Sequence, residues 1–196
     1  MIPVRVLTAA DVGVTAAMLF RAFEDDPISG AIFPAGRHRE KGLQSFFSIQ
    51  MRVTYLEPGT SWVAEDGSGA ALWLPPGHIS GGLRTLLRLA PVIGHVGRNL
   101  PRTLRLLAAI DSEHPKTPHW YLGVLGTDPP AQGKGHGSAL MAPALAHADA
   151  TGLPAYLESS KERNLAFYAR FGFEVMKELK VPGMPPVWPM WREPRS

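Results

Sequence analysis

The sequence predicts an α+β domain built on a mixed sheet, and three observations predict it. The chain has 196 residues, little more than the roughly 150 of one domain. Stretches with the alternation of strands are interleaved with stretches of helical period along its whole length. No internal repeat and no linker divides it. Composition agrees, because 45% hydrophobic and 19% charged residues make an ordinary globular balance that excludes a disordered chain. The 20 Gly and 19 Pro follow no period, so collagen-like and low-complexity classes fall away and many turns are expected.

Val4 to Leu7 reads as a short strand. Thr8-Ala9-Ala10-Asp11 resembles a capping box with Asp in the place of Glu, opening a helix towards Phe23 that Asp26-Pro27 stops. Gln44 to Met51 is a second helix, and Ser61 to Glu65 and Ala70 to Leu74 flank Asp66-Gly67-Ser68-Gly69 as a hairpin closed by Pro75-Pro76-Gly77. Two amphipathic helices follow, one carrying Leu83, Leu86, Leu87 and Ala90, the other Leu100, Leu104 and Leu107, separated near Pro91 to Gly97. Trp120 to Thr127 is a strand, Lys134 to Ala150 a helix, Ala155 to Ser159 a strand, Asn164 to Arg170 a helix closed by Gly172, and Phe173 to Leu179 a strand. Val187 to Trp191 is expected at a sheet edge, since Pro189 lacks the N–H that a central strand needs.

The absence of cysteine excludes disulfides, thiolate metal sites and a cysteine nucleophile, and suits a cytoplasmic protein. The first residues lack the basic and apolar regions of a signal peptide, and no apolar run reaches the roughly 18 residues of a membrane span, so no membrane partner is expected. A net charge of +3 is too small to point to nucleic acid. The excess is local: no carboxylate lies between Asp66 and Asp111, where Arg84, Arg88, Arg98, Arg102 and Arg105 all fall. These arginines read as polar faces of surface helices, with a phosphate-attracting or membrane-surface patch as the other reading.

The informative stretch is Gly126-Thr127-Asp128-Pro129-Pro130-Ala131-Gln132-Gly133-Lys134-Gly135-His136-Gly137-Ser138, between a strand and a helix. Closely spaced glycines let backbone N–H groups converge, and the free N–H groups and dipole of the helix start favour phosphate. A dinucleotide fingerprint fails here because Ser138 stands where its third glycine belongs, five residues separate Thr127 from Gly133, and the strands are too few for two mononucleotide halves. A Walker A loop fails because Lys134 is followed by Gly135. His114 and His119 are five apart across two prolines, a spacing that does not place both on one helical turn, and no metal site is expected. No Gly-x-Ser-x-Gly elbow is present, and Trp62, Trp73, Trp120 and Phe33 read as core.

Gln132-Gly133-Lys134-Gly135-His136-Gly137 resembles the Gln/Arg-x-x-Gly-x-Gly/Ala pyrophosphate motif of the GNAT superfamily of N-acetyltransferases, and Asn164-Leu165-Ala166-Phe167-Tyr168-Ala169-Arg170-Phe171-Gly172-Phe173 is similar to its second signature. The resemblance implies a single domain over 1–196, with a central mixed, mostly antiparallel twisted sheet flanked by helices. It implies acetyl-CoA as cosubstrate, no metal, and a small-molecule primary amine, such as an aminonucleoside or other antibiotic, as acceptor. A non-catalytic acyl-CoA sensor and a protein N-acetyltransferase are the alternatives. By the same resemblance, the backbone of Leu125, Gly126 and Thr127 would pair with the pantetheine arm, Gln132, Gly133, Gly135, Gly137 and Ser138 would hold the pyrophosphate with polar help from Lys134 and His136, and Asn164 would fix the arm.

Direct transfer needs a proton donor for the departing thiolate and an acceptor for the proton of an ammonium substrate. Tyr168 is expected to be the general acid. Glu158, ending an apolar strand, is expected either as the base or as a substrate anchor, and Asp25 and Asp26 as attractors of a cationic acceptor.

Overall fold

The computed structural model describes residues 2–78 and 90–195. Strand β1 (Val4–Val6) leads into Thr8, whose N–H donates to Asp11 Oδ2 at 2.8 Å and so starts a 3-10 turn that continues as α1 (Val12–Ala22). Arg5 also grips Asp11, at 2.6 Å, and holds its carboxyl well below the usual range, with Thr8 adding to the effect. Asp26 both ends the preceding turn and caps α2 (Pro27–Ile32), accepting from Ser29 N at 2.8 Å with Pro27 at the first helical position. Expected only as a stop, Asp26-Pro27 is thus also a start.

Helix α3 (Arg37–Gln50) begins seven residues earlier than its apolar spacing suggests and runs on into a π-helical turn, Met51–Tyr55, that buries Met51 and Tyr55. Strands β2 (Trp62–Ala64) and β3 (Gly69–Leu74) form the expected hairpin. Asp66 accepts from Ser68 N at 2.9 Å, and Gly67 takes a φ of 73°. The helix expected around Leu83 to Leu87, with Arg84 and Arg88, lies outside the described residues. Pro91 to Gly97, expected as a break, is instead helix α4 (Ala90–Val96) and the first residue of a 3-10 turn.

Helix α5 (Leu100–Glu113), strand β4 (Trp120–Thr127), helix α6 (His136–Ala150), strand β5 (Ala155–Ser159) and helix α7 (Leu165–Ala169) follow close to expectation. Of the strand expected over Phe173 to Leu179, only β6 (Glu174–Val175) and a bridge from Leu179 to Val187 form.

The last strand, β7 (Trp188–Arg192), is not at the edge. The sheet order is β1-β2-β3-β4-β5-β7-β6, and every neighbouring pair is antiparallel except β4 with β5. Pro189 is tolerated inside the sheet because its carbonyl, which accepts from Met176 N at 2.9 Å, faces the β6 side. Its missing N–H therefore falls on that side, beyond the two paired residues of β6.

Helices cover both faces. Ala70, Leu72 and Leu74 of β3 pack with α1, α3 and α4, while Ala71 and Trp73 pack with α6. All six residues of β3 are buried, as an apolar run at the middle of a covered sheet should be.

Candidate active site

Strands β4 and β5 pair only from Trp120 to Leu122 with Ala155 to Leu157, although β4 continues beside β3 as far as Thr127. Beyond Leu122 the parallel strands part. The register with β3 skips Gly123, since Leu72 faces Val124 and Trp73 faces Leu122. A bulge at this point bends the strand and adds twist where the two separate. The Tyr55 hydroxyl lies over Gly123 and fills the place of a side chain there.

A cleft of about 500 Å³ opens in the gap. Its walls include Leu122 to Thr127 of β4, Leu157 to Lys161, Asp26, and Asn164, Phe167, Tyr168 and Arg170 at α7.

At one end lies the glycine loop. Gly133 and Gly135 have φ values of 73° and 92°, and Gly135 leads into α6 with no side chain capping that helix. Ala139 N reaches back to Gly135 O at 3.0 Å, so the N–H groups of His136, Gly137 and Ser138 precede the first helical hydrogen bond and are free for an anion. A Cβ on Gly133 would touch nothing within 4 Å, whereas one on Gly137 would lie 3.0 Å from the Phe167 ring. The loop is therefore open above and tight beneath, which fits a bulky anion lying along its backbone.

The side chains of the loop divide. Gln132 donates to Thr127 O at 3.1 Å and thereby fastens the loop to the end of β4. Lys134 is exposed and is not part of the cleft lining, while His136 is buried with Nε2 3.6 Å from Asp66 Oδ2 of the hairpin turn. Leu125, Gly126 and Thr127 line the diverging edge of β4, and Asn164 precedes α7 at the cleft wall. Arg170, which the sequence reading passed over, lines the cleft with its guanidinium 5.1 Å from the Phe167 ring centre.

Tyr168 is buried, and that burial, followed by the nearby charge of Asp26, pushes its hydroxyl well above the ordinary phenol range. It enters the cleft as a neutral phenol. Asp26 is itself buried and takes a hydrogen bond from Ser160 Oγ. Asp25 is not free to attract a ligand, because Lys161 and Arg163 both bind it, Arg163 at 2.7 Å.

Glu158 stands at the fork. Its Oε2 accepts from the Tyr121 hydroxyl at 2.9 Å, while Oε1 lies 3.6 Å from His114 Nδ1. Burial, then the Glu158 charge, keeps the hydroxyls of Tyr55, Tyr121 and Tyr156 well above their ordinary range. His114 and His119, whose spacing does not place them on one helical turn, nevertheless meet at 3.1 Å between their Nε2 atoms. Pro115 explains the meeting: it forces His114 out of the helical region, to φ −64° and ψ 124°, and the chain doubles back to β4. The readable signal was two histidines flanking prolines immediately ahead of a strand whose parallel neighbour carries Tyr156 and Glu158. No group of three His, Cys, Asp or Glu among the described residues has the arrangement of a metal site.

The comparisons with known proteins agree with this geometry. The sequence model of the acetyltransferase (GNAT) family matches residues 51–173. An uncharacterized N-acetyltransferase of Schizosaccharomyces pombe is 30% identical over 178 residues, covering 84% of this chain and 71% of the relative. Among solved structures, a Corynebacterium glutamicum protein described as histone acetyltransferase HPA2 and related acetyltransferase is 28% identical, with a TM-score of 0.75 over 100% of this chain and 98% of the other. The Drosophila melanogaster polyamine N-acetyltransferase shares the fold, with a TM-score of 0.66 at 16% identity over 98% of this chain and 100% of that one. With its strands parted above an uncapped glycine-led helix and a family match across 51–173, the chain belongs to the GNAT family of acetyltransferases.

Proposed function

We propose that the protein transfers an acetyl group from acetyl-CoA directly to a primary amine of a small molecule. The observation that carries this reading is the placement of Glu158, Tyr168 and the free N–H groups at the start of α6 around one cleft between parted strands. Acetyl-CoA, when bound, supplies an activated acyl group and a thiol leaving group. The amides of His136 to Ser138 would hold its pyrophosphate, with Arg170 nearby as a cation. Backbone groups of β4 beyond Leu122, having no partner in β5, are free to pair with an extended amide-bearing arm and to stabilise developing negative charge. Glu158 takes a proton from the acceptor ammonium, and Tyr168 gives one to the leaving sulfur.

For the acceptor, Trp62 to Gly67, Pro118 to Leu122, Pro154 to Glu158 and Val181 to Met190 resemble the corresponding stretches of puromycin N-acetyltransferase. That supports an aminonucleoside or related antibiotic amine. Asp26, where that enzyme carries Tyr, gives the cleft a buried carboxylate and argues for a more cationic acceptor than puromycin.

The test is a panel of amines and peptides incubated with acetyl-CoA and read by mass for a single acetyl addition. Acetylation of small amines supports the reading. Modification of peptide N-termini alone would make the protein a peptide acetyltransferase, and stabilisation by acetyl-CoA with no product would make it a sensor. Ser138→Glu places a tethered carboxylate over the free amides, and is expected to abolish the rise in Tm that acetyl-CoA produces.

A further inference from the structure

The cluster beside Glu158 contains a chain of polar contacts whose protons can be assigned one after another. Thr117 O is a carbonyl and can only accept, so His119 Nδ1, 2.6 Å away, carries a hydrogen. His119 is fully buried, and its burial lowers its affinity for a second proton by more than the hydrogen bond to Thr117 O raises it. Neutral His119 therefore has a bare Nε2. His114 Nε2, 3.1 Å from it, must be the donor. In the neutral ring that leaves His114 Nδ1 bare, facing Glu158 Oε1, an atom closed to solvent and without a hydrogen-bond partner. In that tautomer two acceptor atoms face each other across 3.6 Å, a gap slightly longer than a hydrogen bond that must tighten for a proton to pass between them.

We propose that His114 receives the proton that Glu158 removes from the acceptor ammonium, and that His119 holds His114 in the tautomer able to do so. The inference rests on Glu158 being the base. An N–H bond of the ammonium breaks, its electron pair stays on nitrogen, and an O–H bond forms on Glu158. That O–H then breaks as an N–H bond forms on His114 Nδ1, restoring the carboxylate and leaving an imidazolium. His114, whose side chain is 14% exposed, releases the proton to water between turnovers.

The surroundings allow this. From β4, Tyr121 donates to the other carboxylate oxygen; from β5, Tyr156 packs edge-on to His114 with ring centres 4.8 Å apart; and the Tyr55 hydroxyl, over Gly123, is near enough to feel the Glu158 charge. All three stay protonated, as burial and the Glu158 charge require. From α5, Glu113 is neutralised by Lys177, and from β7 the Trp191 ring covers His119. The Tyr156 hydroxyl, buried beside Glu158 without a hydrogen-bond partner, keeps its own proton and so takes none from the carboxyl. His119 touches no reacting atom and is a positioning residue.

Two measurements test the proposal on the intact protein. The first is the 15N spectrum of the histidine rings in the wild type, independent of any acceptor. It should show His119 protonated at Nδ1 and neutral His114 protonated at Nε2; the opposite tautomer at either ring overturns the chain. The second uses an amine from the panel. His114→Gln should lower kcat/KM by roughly 10- to 100-fold, at or below the usual range for a general base. The KM for acetyl-CoA should not change, and the acid-side fall of the pH profile, which belongs to the pair, should shift. Because the two groups act in series, Glu158→Gln with His114→Gln should be no slower than Glu158→Gln alone. A full-rate His114→Gln with an unshifted profile, beside a slow Glu158→Gln, overturns the relay alone. A full-rate Glu158→Gln overturns the base assignment beneath it. His114→Phe, which keeps the ring packing, checks that the loss does not come from misfolding.

Discussion

Tyr55 and Gly123 share one space: a Cβ at position 123 would fall 1.9 Å from the Tyr55 hydroxyl and 3.0 Å from the ring carbon that bears it. Neither a buried aromatic ring nor a bulged strand yields easily. Gly123→Ala is expected to destabilise by about 1–3 kcal/mol, as overpacking does. Tyr55→Phe should recover part of that loss in the double variant, a coupling that urea unfolding of all four proteins would measure.

Arg192 is only 2% exposed and makes a bidentate pair with Asp149, two bonds of 2.7 Å. A third bond, to Phe171 O at 2.8 Å, fixes the guanidinium against the end of α7. Asp149→Asn would leave that charge buried and poorly matched. The expected cost is about 2–4 kcal/mol, below the largest values for buried pairs because Asp149 is 28% exposed.

The same pair sets an acid dependence. Arg192, and to a smaller extent Arg195 N, hold the Asp149 carboxyl below its unfolded value. Its stabilisation is therefore complete above the unfolded value, near pH 4, and is lost as pH falls through the folded one. Denaturant midpoints of wild type and Asp149→Asn should converge as pH falls below about 4.

Tyr168→Phe removes one hydroxyl and keeps the ring that packs beside Phe167 and Phe173. Acetyl-CoA affinity should hold while kcat falls by roughly 100- to 10,000-fold. An acyl donor whose thiol has a lower pKa should shrink the defect. Full activity in the variant would assign the leaving-group proton elsewhere.

Asp26→Ala removes the cap of α2 and the partner of Ser160 together. Loss of the cap should cost about 1 kcal/mol. If Asp26 also attracts a cationic acceptor, KM for that amine rises while KM for acetyl-CoA stays; equal changes in both would make its role purely architectural.

The covered strands and the glycine loop were legible because their signals are local. Trp120 to Thr127 and Ala155 to Ser159 were read with the bounds observed, and the glycines of 133, 135 and 137 announced a loop ahead of a helix. What escaped depends on partners distant in sequence. Asp26-Pro27 is ambiguous between stop and start until Ser29 is seen to need a cap. The interior place of β7 follows from how short β6 is, which no feature of Pro189 reveals. The meeting of His114 with Glu158 joins residues 44 apart in the sequence, and only the chain reversal after Pro115 brings them together.

That interior place of β7 bears on how the protein comes into being. Residues 188–192 fill the slot between β5 and β6, so the sheet cannot close until that segment has been synthesised. Until then β5 presents an open edge in the nascent chain, and such edges recruit other strands. A chain stopped before Trp188 should appear in aggregates or bound to chaperones, and a synthetic peptide of the β7 sequence supplied in trans should compete for that edge.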